Sequence, residues 1–455
     1  MKRREFLKSS AVLAAAIGSS DILKAGELLS PESVAPVPER EAGDDGRLII
    51  SAPMLQNFAS ESIGVVFAVS DLSNGYVLYG KKPDLSDAVK VKCGGYRVTD
   101  LDDRVVRVRI TGLEANTRYY YRIGADRIVY NDGYDMHIVG NEEDPRIYSF
   151  LTAGASGKSH FCVINDTHAR MASFSKTIDK VAALAPPCVI WNGDATNNEA
   201  TVENLVDIFL KPDIDKKDYA AQTPYLFAPG NHDSRGMANR HIERVWMFRQ
   251  PEERASRDWD LGRNFAVRQG DIAMIGLDTA EDKLDTNPIF AGLFNSGEYR
   301  KAQVAWLRDA LQRPEIRKAP FLVAFCHIPL FEEDPTANPG DLAPADTAPG
   351  FSPDFAHWQR TCANLWMPLL QKAGCQIVIT AHLHEYRYNA PAAGRTWAHM
   401  VGGGPDIDRD ELHAPTVIEG CVENGKLKIT AHSVKTDAVL GSYTFAPRKR
   451  RQIFD

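Results

Sequence analysis

Between residues 160 and 384 the chain repeats one pattern. Short apolar runs without alternation stop abruptly at residues that bind metals or move protons. Phe161-Cys162-Val163-Ile164 runs into Asn165-Asp166-Thr167-His168, and Cys188-Val189-Ile190-Trp191 into Asn192-Gly193-Asp194. Tyr225-Leu226-Phe227-Ala228 runs into Pro229-Gly230-Asn231-His232-Asp233, residues 321–325 into Cys326-His327, and Gln376-Ile377-Val378-Ile379 into Thr380-Ala381-His382-Leu383-His384. Runs that are apolar and β-branched on both alternating faces predict strands buried on both sides. Ligands of open α/β sheets gather at the carboxyl ends of such strands. Five strand ends therefore bring Asp166, His168, Asp194, Asn231, His232, Asp233, His327, His382 and His384 to one rim.

Between these strands, residues 171–185, 299–311 and 358–373 place apolar side chains at helical spacing, as with Phe174, Ile178, Val181 and Leu184. Strand–helix alternation predicts a mainly parallel, layered α/β domain over 158–446, with residues 396–445 returning to β-like runs that complete a second sheet. Residues 331–355 form a long proline-rich connection leaving the His327 strand end, and they are read as a lid. Upstream, residues 47–153 change to short alternating segments divided by turns such as Ser73-Asn74-Gly75, the pattern of an all-β antiparallel sandwich. The stretch from Thr111-Gly112-Leu113 to Tyr119-Tyr120-Tyr121 resembles the corner of a fibronectin type III or immunoglobulin-like domain. There a tyrosine, here Tyr119 or Tyr121, hydrogen-bonds back to the chain. If this sandwich is only a scaffold, deleting it should leave some activity.

The start of the chain is different again. Lys2-Arg3-Arg4-Glu5-Phe6-Leu7-Lys8 precedes a weakly apolar, alanine-rich segment, and residues 1–25 closely resemble a twin-arginine export signal. Residues 26–46, rich in Pro, Glu and Gly, read as a linker. The reading is an exported protein, periplasmic or extracytoplasmic, without a transmembrane anchor, since no apolar run reaches the ~18 residues a span needs.

Charge narrows the partners. The formal net charge is −7, and residues 1–25 carry Lys2, Arg3, Arg4, Lys8 and Lys24 against Glu5 and Asp21, so the remainder stands at −10. That balance argues against nucleic-acid polymers and anionic membranes as the main partner and leaves room for a small or locally steered anionic substrate. Seven cysteines include no Cys-x-x-Cys pair. Cys162, Cys188 and Cys326 fall inside buried strand runs, where a thiol behaves as a small hydrophobe, and Cys362 with Cys375 is the pair to examine for a disulfide.

The ordered blocks Asp166-Thr167-His168, Gly193-Asp194, Gly230-Asn231-His232-Asp233, His327 and His382-Leu383-His384 resemble the calcineurin-like metallophosphoesterase superfamily. The resemblance spans about 160–435. It implies two metal ions: Asp166, His168 and His384 on the first, Asn231, His327 and His382 on the second, with Asp194 bridging. Carboxylates, imidazoles and one amide oxygen suit Mn, Fe or Zn better than calcium. It also implies a small phosphorylated substrate, a phosphate mono- or diester attacked in line by a metal-bridging hydroxide. His232 then assists the phosphoryl group or leaving oxygen, and Asp233 sets its tautomer. Gly193 and Gly230 are read as positions where backbone crowds the site or turns at positive φ.

The sandwich-plus-esterase order also resembles purple acid phosphatases. Yet His168 stands where those have glycine, and Asn197 where they have the charge-transfer tyrosine, so no purple centre is expected. Ala381 replaces a usual glycine without removing a ligand. Asn192, Asn197 and Arg235 are candidate phosphate contacts by nearness in sequence. The remaining histidines, His137, His160, His241, His357, His399, His413 and His432, carry no motif. The alternative to a hydrolase is a silent, metal-containing binding protein of the same fold; against it, every carboxylate and histidine of the blocks is present.

Overall fold

The computed structural model describes residues 46–93, 102–249, 259, 261–330 and 353–449. The expected leader, the linker up to residue 45 and residues 331–352 of the expected lid lie outside them. The N-terminal region supplies β1 (Met54–Gln56), β2 (Ser62–Ala68), β3 (Ser73–Gly80), β4 (Val89–Lys92), β5 (Val105–Thr111), β6 (Arg118–Asp132), β7 (Asp135–Glu143) and β8 (Tyr148–Leu151). The rest supplies β9 (His160–Ile164), β10 (Val189–Trp191), β11 (Tyr225–Phe227), β12 (Phe265–Gln269), β13 (Ile272–Leu277), β14 (Phe321–Cys326) and β15 (Ile377–Thr380). It ends with β16 (Arg387–Asn389), β17 (Ala398–Val401), β18 (Thr416–Glu423), β19 (Lys426–Ser433) and β20 (Val439–Phe445).

Two sheets form the centre, one ordered β20-β19-β18-β9-β10-β11-β1-β2-β5 and the other β12-β13-β14-β15-β17-β16. Strands β9, β10 and β11 run parallel, as do β13, β14, β15 and β17. The lack of alternation in the runs now has its cause. Phe161 and Val163 point into the core shared with Val323 and Phe325 of the opposite sheet, whereas Cys162 and Ile164 point outward onto helix residues Phe174, Ile178 and Phe209. On the far side, Leu322, Ala324 and Val378 meet Leu307, Trp358, Trp366 and Leu370 from the helices Ser296–Gln312 and Pro353–Ala373. The order of layers is helix, sheet, sheet, helix. All seven cysteines are free thiols; Cys362 and Cys375 are buried in this outer helical layer and form no disulfide.

The N-terminal β-region is not walled off at residue 153 as the sequence suggested. Strand β1 pairs in parallel with β11 through Gln56 and Tyr225, and β2 and β5 continue the same sheet antiparallel. Alternation in sequence reports which face is buried and is blind to which strand lies alongside, so it placed a boundary where the ladder continues. A second small sheet, β4-β3-β6-β7 with β8 on β6, packs its Val77, Tyr121, Ile123 and Phe150 against Val65, Phe67, Val106 and Val108 of β2 and β5. Tyr119 Oη accepts a hydrogen bond from the Glu114 N–H (3.1 Å), the turn-back contact expected of such a corner, while Tyr121 Oη donates to the Ala221 carbonyl (2.5 Å). Gln56 adds a further tie, donating to Val245 O and accepting from Met247 N, both at 2.9 Å.

Removing β1, β2 and β5 would therefore bare the ladder edge of β11 and the core side chains that β2 covers. A chain starting at residue 158 is expected to be insoluble or to lose a cooperative melting transition, in contrast with the scaffold reading of the sequence. Soluble expression with an unchanged circular dichroism melt would disprove the shared-sheet dependence.

A candidate metal centre where two sheets end

The carboxyl ends of β9, β10 and β11 from one sheet face those of β14 and β15 from the other, and the predicted residues converge there. The donor atoms of Asp166, His168 and His384 lie within 4.8 Å of one another, as do those of Asp194, His327 and His382. Asp194 belongs to both neighbourhoods: its Oδ2 is 3.0 Å from His327 Nε2 and 3.5 Å from His168 Nε2. Asn231 Oδ1 is 3.0 Å from His382 Nδ1, which completes the second group. His384 Nε2 stands 3.3 Å from Asp166 Oδ1.

The backbone is bent sharply to achieve this. Asp166, His168, Asp194, His382 and His384 all adopt φ between 44° and 71°, a left-handed region that side chains other than glycine rarely occupy. Such strain, concentrated on five of the seven candidate ligands, marks a functional site rather than ordinary loop chemistry. The two glycines have the steric cause expected. A Cβ at Gly193, where φ is 83°, would collide with the His327 ring, and one at Gly230 with Asp194.

Hydrogen bonds fix which imidazole nitrogen faces the centre. His327 Nδ1 lies 2.9 Å from the Asn192 carbonyl, which only accepts, so Nδ1 donates there and Nε2 is the nitrogen turned toward the centre. His168 Nδ1 is likewise 2.7 Å from Asn197 Oδ1, whose own amide donates to the His168 carbonyl at 2.9 Å. Both are the outer contacts that metal-binding histidines use. Asp166 Oδ1 and His327 Nε2 are buried and face only other members of the two ligand groups, His384 Nε2 at 3.3 Å and Asp194 Oδ2 at 3.0 Å, the crowding expected of atoms that share an ion.

Electrostatics agree with that fit. Burial alone would lower the His327 pKa, but the Asp194 and Asp166 carboxylates outweigh it and hold the ring up at about 10. Burial opposes ionisation of Asp194, yet His327 and His168 draw it down to about 2. Two buried carboxylates thus hold positive charge tightly, and a pair of cations coordinated by these donors would supply it.

The structure reassigns two neighbours. Among the described residues, Asp233 makes no hydrogen bond to the His232 ring. Its Oδ2 accepts from Gly230 N and Asp194 N (both 2.8 Å), and its Oδ1 accepts from Thr196 N and Thr196 Oγ1 (both 3.0 Å). It clamps the β10 and β11 loops together. Burial and the nearby Asp194 push its pKa up to about 6, against the restraint of those N–H groups. The His232 ring instead meets Arg235, whose Nη1 is 3.1 Å from Nε2. A guanidinium only donates, so Nε2 accepts and Nδ1 carries the proton. Burial lowers the His232 pKa to about 4, with Arg235 adding to the effect and Asp194 resisting it.

Arg235 is itself gripped by buried Glu281 through two bonds of 2.8 and 2.7 Å. Neither Arg235 nor Asn197 is therefore a free phosphate contact. Asn192 is fully buried, and its amide donates to the Cys326 and Ile379 carbonyls at 3.2 Å each, stitching the two sheets where the site forms.

Glu281 and Asp282, whose Oδ2 is 3.7 Å from His382 Nε2, escaped the sequence reading. A signal was present, since Ile272-Ala273-Met274-Ile275-Gly276-Leu277 is a sixth apolar run ending in an acidic residue, Asp278.

Replacing Asp233 by Asn puts an amide N–H₂ opposite two backbone N–H donors. We expect a stability loss of roughly 2–4 kcal/mol, with weaker metal retention. Denaturant unfolding and metal analysis of the variant check this; wild-type stability would contradict the clamp.

Comparison with known proteins is consistent with this geometry. Among curated proteins none matches the chain. Its fold is similar to that of a purple acid phosphatase, PPD1, from yellow lupin (Lupinus luteus) seeds, with 15% identity, a TM-score of 0.60, and 89% of this chain and 76% of that one covered. It is also similar to the structure of PhoD, with 12% identity, a TM-score of 0.57, and 87% and 90% covered. At such identities the likeness is one of fold. The family model for the calcineurin-like phosphoesterases matches residues 159–386, half of the 455-residue chain. The chain belongs to the calcineurin-like phosphoesterase family and is, as such, a metal-dependent phosphoester hydrolase.

Proposed function

We propose that this chain is an exported two-metal phosphoesterase that hydrolyses small phosphate mono- or diesters. One observation carries the reading: Asp194 lies between two ligand groups, Asp166–His168–His384 and Asn231–His327–His382, that take their members from two facing sheets. Bound there, two ions of the Mn, Fe or Zn kind would neutralise phosphoryl charge and activate water. The protein's part is to hold the donors in place, through Asn192 and Asn197 on the imidazoles and Asp233 on the loops. His232 presents an Nδ1–H that is buried and makes no hydrogen bond among the described residues. Facing the same centre, it is the group assigned to donate a hydrogen bond to the phosphoryl or leaving oxygen. Export through the twin-arginine route, which carries folded proteins, suits a chain that takes up its metal before leaving the cytoplasm. The N-terminal β-region, with its fibronectin-like corner at Tyr119, is read as an integral part of the catalytic sheet rather than a separable scaffold.

Two substitutions separate the roles. Asp194→Ala is expected to lower metal content and abolish turnover; full activity in that variant would sink the site assignment. His232→Ala should retain about two metals per chain while losing on the order of 10²–10⁴-fold in kcat. Loss of metal there would make His232 a ligand. Both are read by metal analysis alongside hydrolysis of paired chromogenic mono- and diesters.

A further inference from the structure

The metal centre opens into a cavity of about 360 Å³, with His168, His232 and His384 at its base and Arg170 and Arg409 on its wall. That is the low end of the range for small-molecule pockets, and more room than a phosphoryl group fills. Both arginines are exposed, and among the described residues neither guanidinium forms an ion pair. The Asp406 carboxylate on the same wall offsets one of them and leaves the other. His413 is held by Asp410, with Nδ1 to Oδ1 at 2.7 Å, and Asp406 accepts the Asp408 N–H at 3.0 Å. The wall therefore keeps an excess of positive charge on a chain whose formal charge is −7.

Resting on the phosphoesterase reading, we propose that Arg170 and Arg409 form a second anion subsite. On this assignment the preferred substrate is a phosphoester whose leaving alcohol carries another anionic group, a carboxylate or a second phosphate. The reacting phosphoryl group already meets its donors at the metal end of the cavity, where His168 is buried and His232 and His384 are partly buried. The arginines stand at the exposed mouth, so they meet what the phosphoryl group is attached to. A planar guanidinium recognises carboxylate and phosphate by paired N–H bonds, and a cleft lined with one sign of charge concentrates the opposite sign.

The test compares phenyl phosphate with 4-carboxyphenyl phosphate on the metal-loaded full chain, using their methyl diesters if only diesters turn over. The wild type and an Arg170→Ala/Arg409→Ala double variant are measured side by side. The carboxyphenyl-to-phenyl ratio of kcat/KM should be on the order of tenfold higher in the wild type, through KM, and should shrink in high salt. Arg→Lys replacements should restore part of it. An equal ratio in both proteins overturns the subsite, as does an equal loss on both esters, which would put the arginines on the reacting phosphoryl group. If the wild type hydrolyses neither ester class while holding its metals, the phosphoesterase reading fails instead.

Discussion

Two carboxylates with no access to water, Asp166 and Asp194, set the terms for this molecule. An isolated buried charge costs several kcal/mol, and two together are worse by their mutual repulsion. The chain meets that cost with imidazoles drawn from both sheets: His168 from the β9 end, His327 from β14, and His382 and His384 beyond β15. Two of these rings, His168 and His327, are held from behind by Asn197 and Asn192. Sheet packing and metal affinity are consequently one problem. The sandwich cannot slip without separating the Asp194 carboxylate from His327, and the charge cluster cannot relax without pulling on the sheets.

Strand ends are suited to this duty because the strands are immobile. β9, β10, β14 and β15 are buried on both faces, so their last residues start from fixed positions, and a few left-handed residues then aim the side chains. The strain at Asp166, His168, Asp194, His382 and His384 is sustained by hydrogen bonds that run across loops. Asp166 N donates to Gly193 O at 3.0 Å, His168 N to Asp194 O at 2.9 Å, and His382 N to Asp166 Oδ2 at 3.1 Å.

The same physics explains what could be read in advance. Apolar runs buried on both faces have a plain signature, so the five strand ends and their seven candidate ligands were legible, together with the helices Met171–Leu184, Ser296–Gln312 and Pro353–Ala373. Lateral neighbours have no such signature. Nothing in Met54-Leu55-Gln56 announces a parallel partner some 170 residues away at Tyr225. Side-chain targets within a loop are equally silent. His232-Asp233 reads as a dyad because the residues are adjacent, but the backbone there forms a short 3₁₀ turn. In that turn Asp233 reaches the N–H groups of Asp194 and Thr196, and Arg235 comes round to the ring. Glu281 was missed because the β13 run was not counted among those feeding the site.

The exchange of partner at His232 has a chemical consequence. A carboxylate behind an imidazole favours the imidazolium and makes the ring a stronger base. An arginine behind it does the opposite: it donates to Nε2, leaves the proton on Nδ1 and disfavours a second proton. The Arg235 charge is in turn matched by Glu281 through a two-bond pair, so the fork is held rigid while Nη1 is left for the ring. Asp233 is thereby freed to serve the backbone, where one carboxylate accepting four hydrogen bonds joins the loop bearing Asp194 to the loop bearing Asn231. Ligand placement and proton placement are handled by different residues, and a substitution in one need not disturb the other.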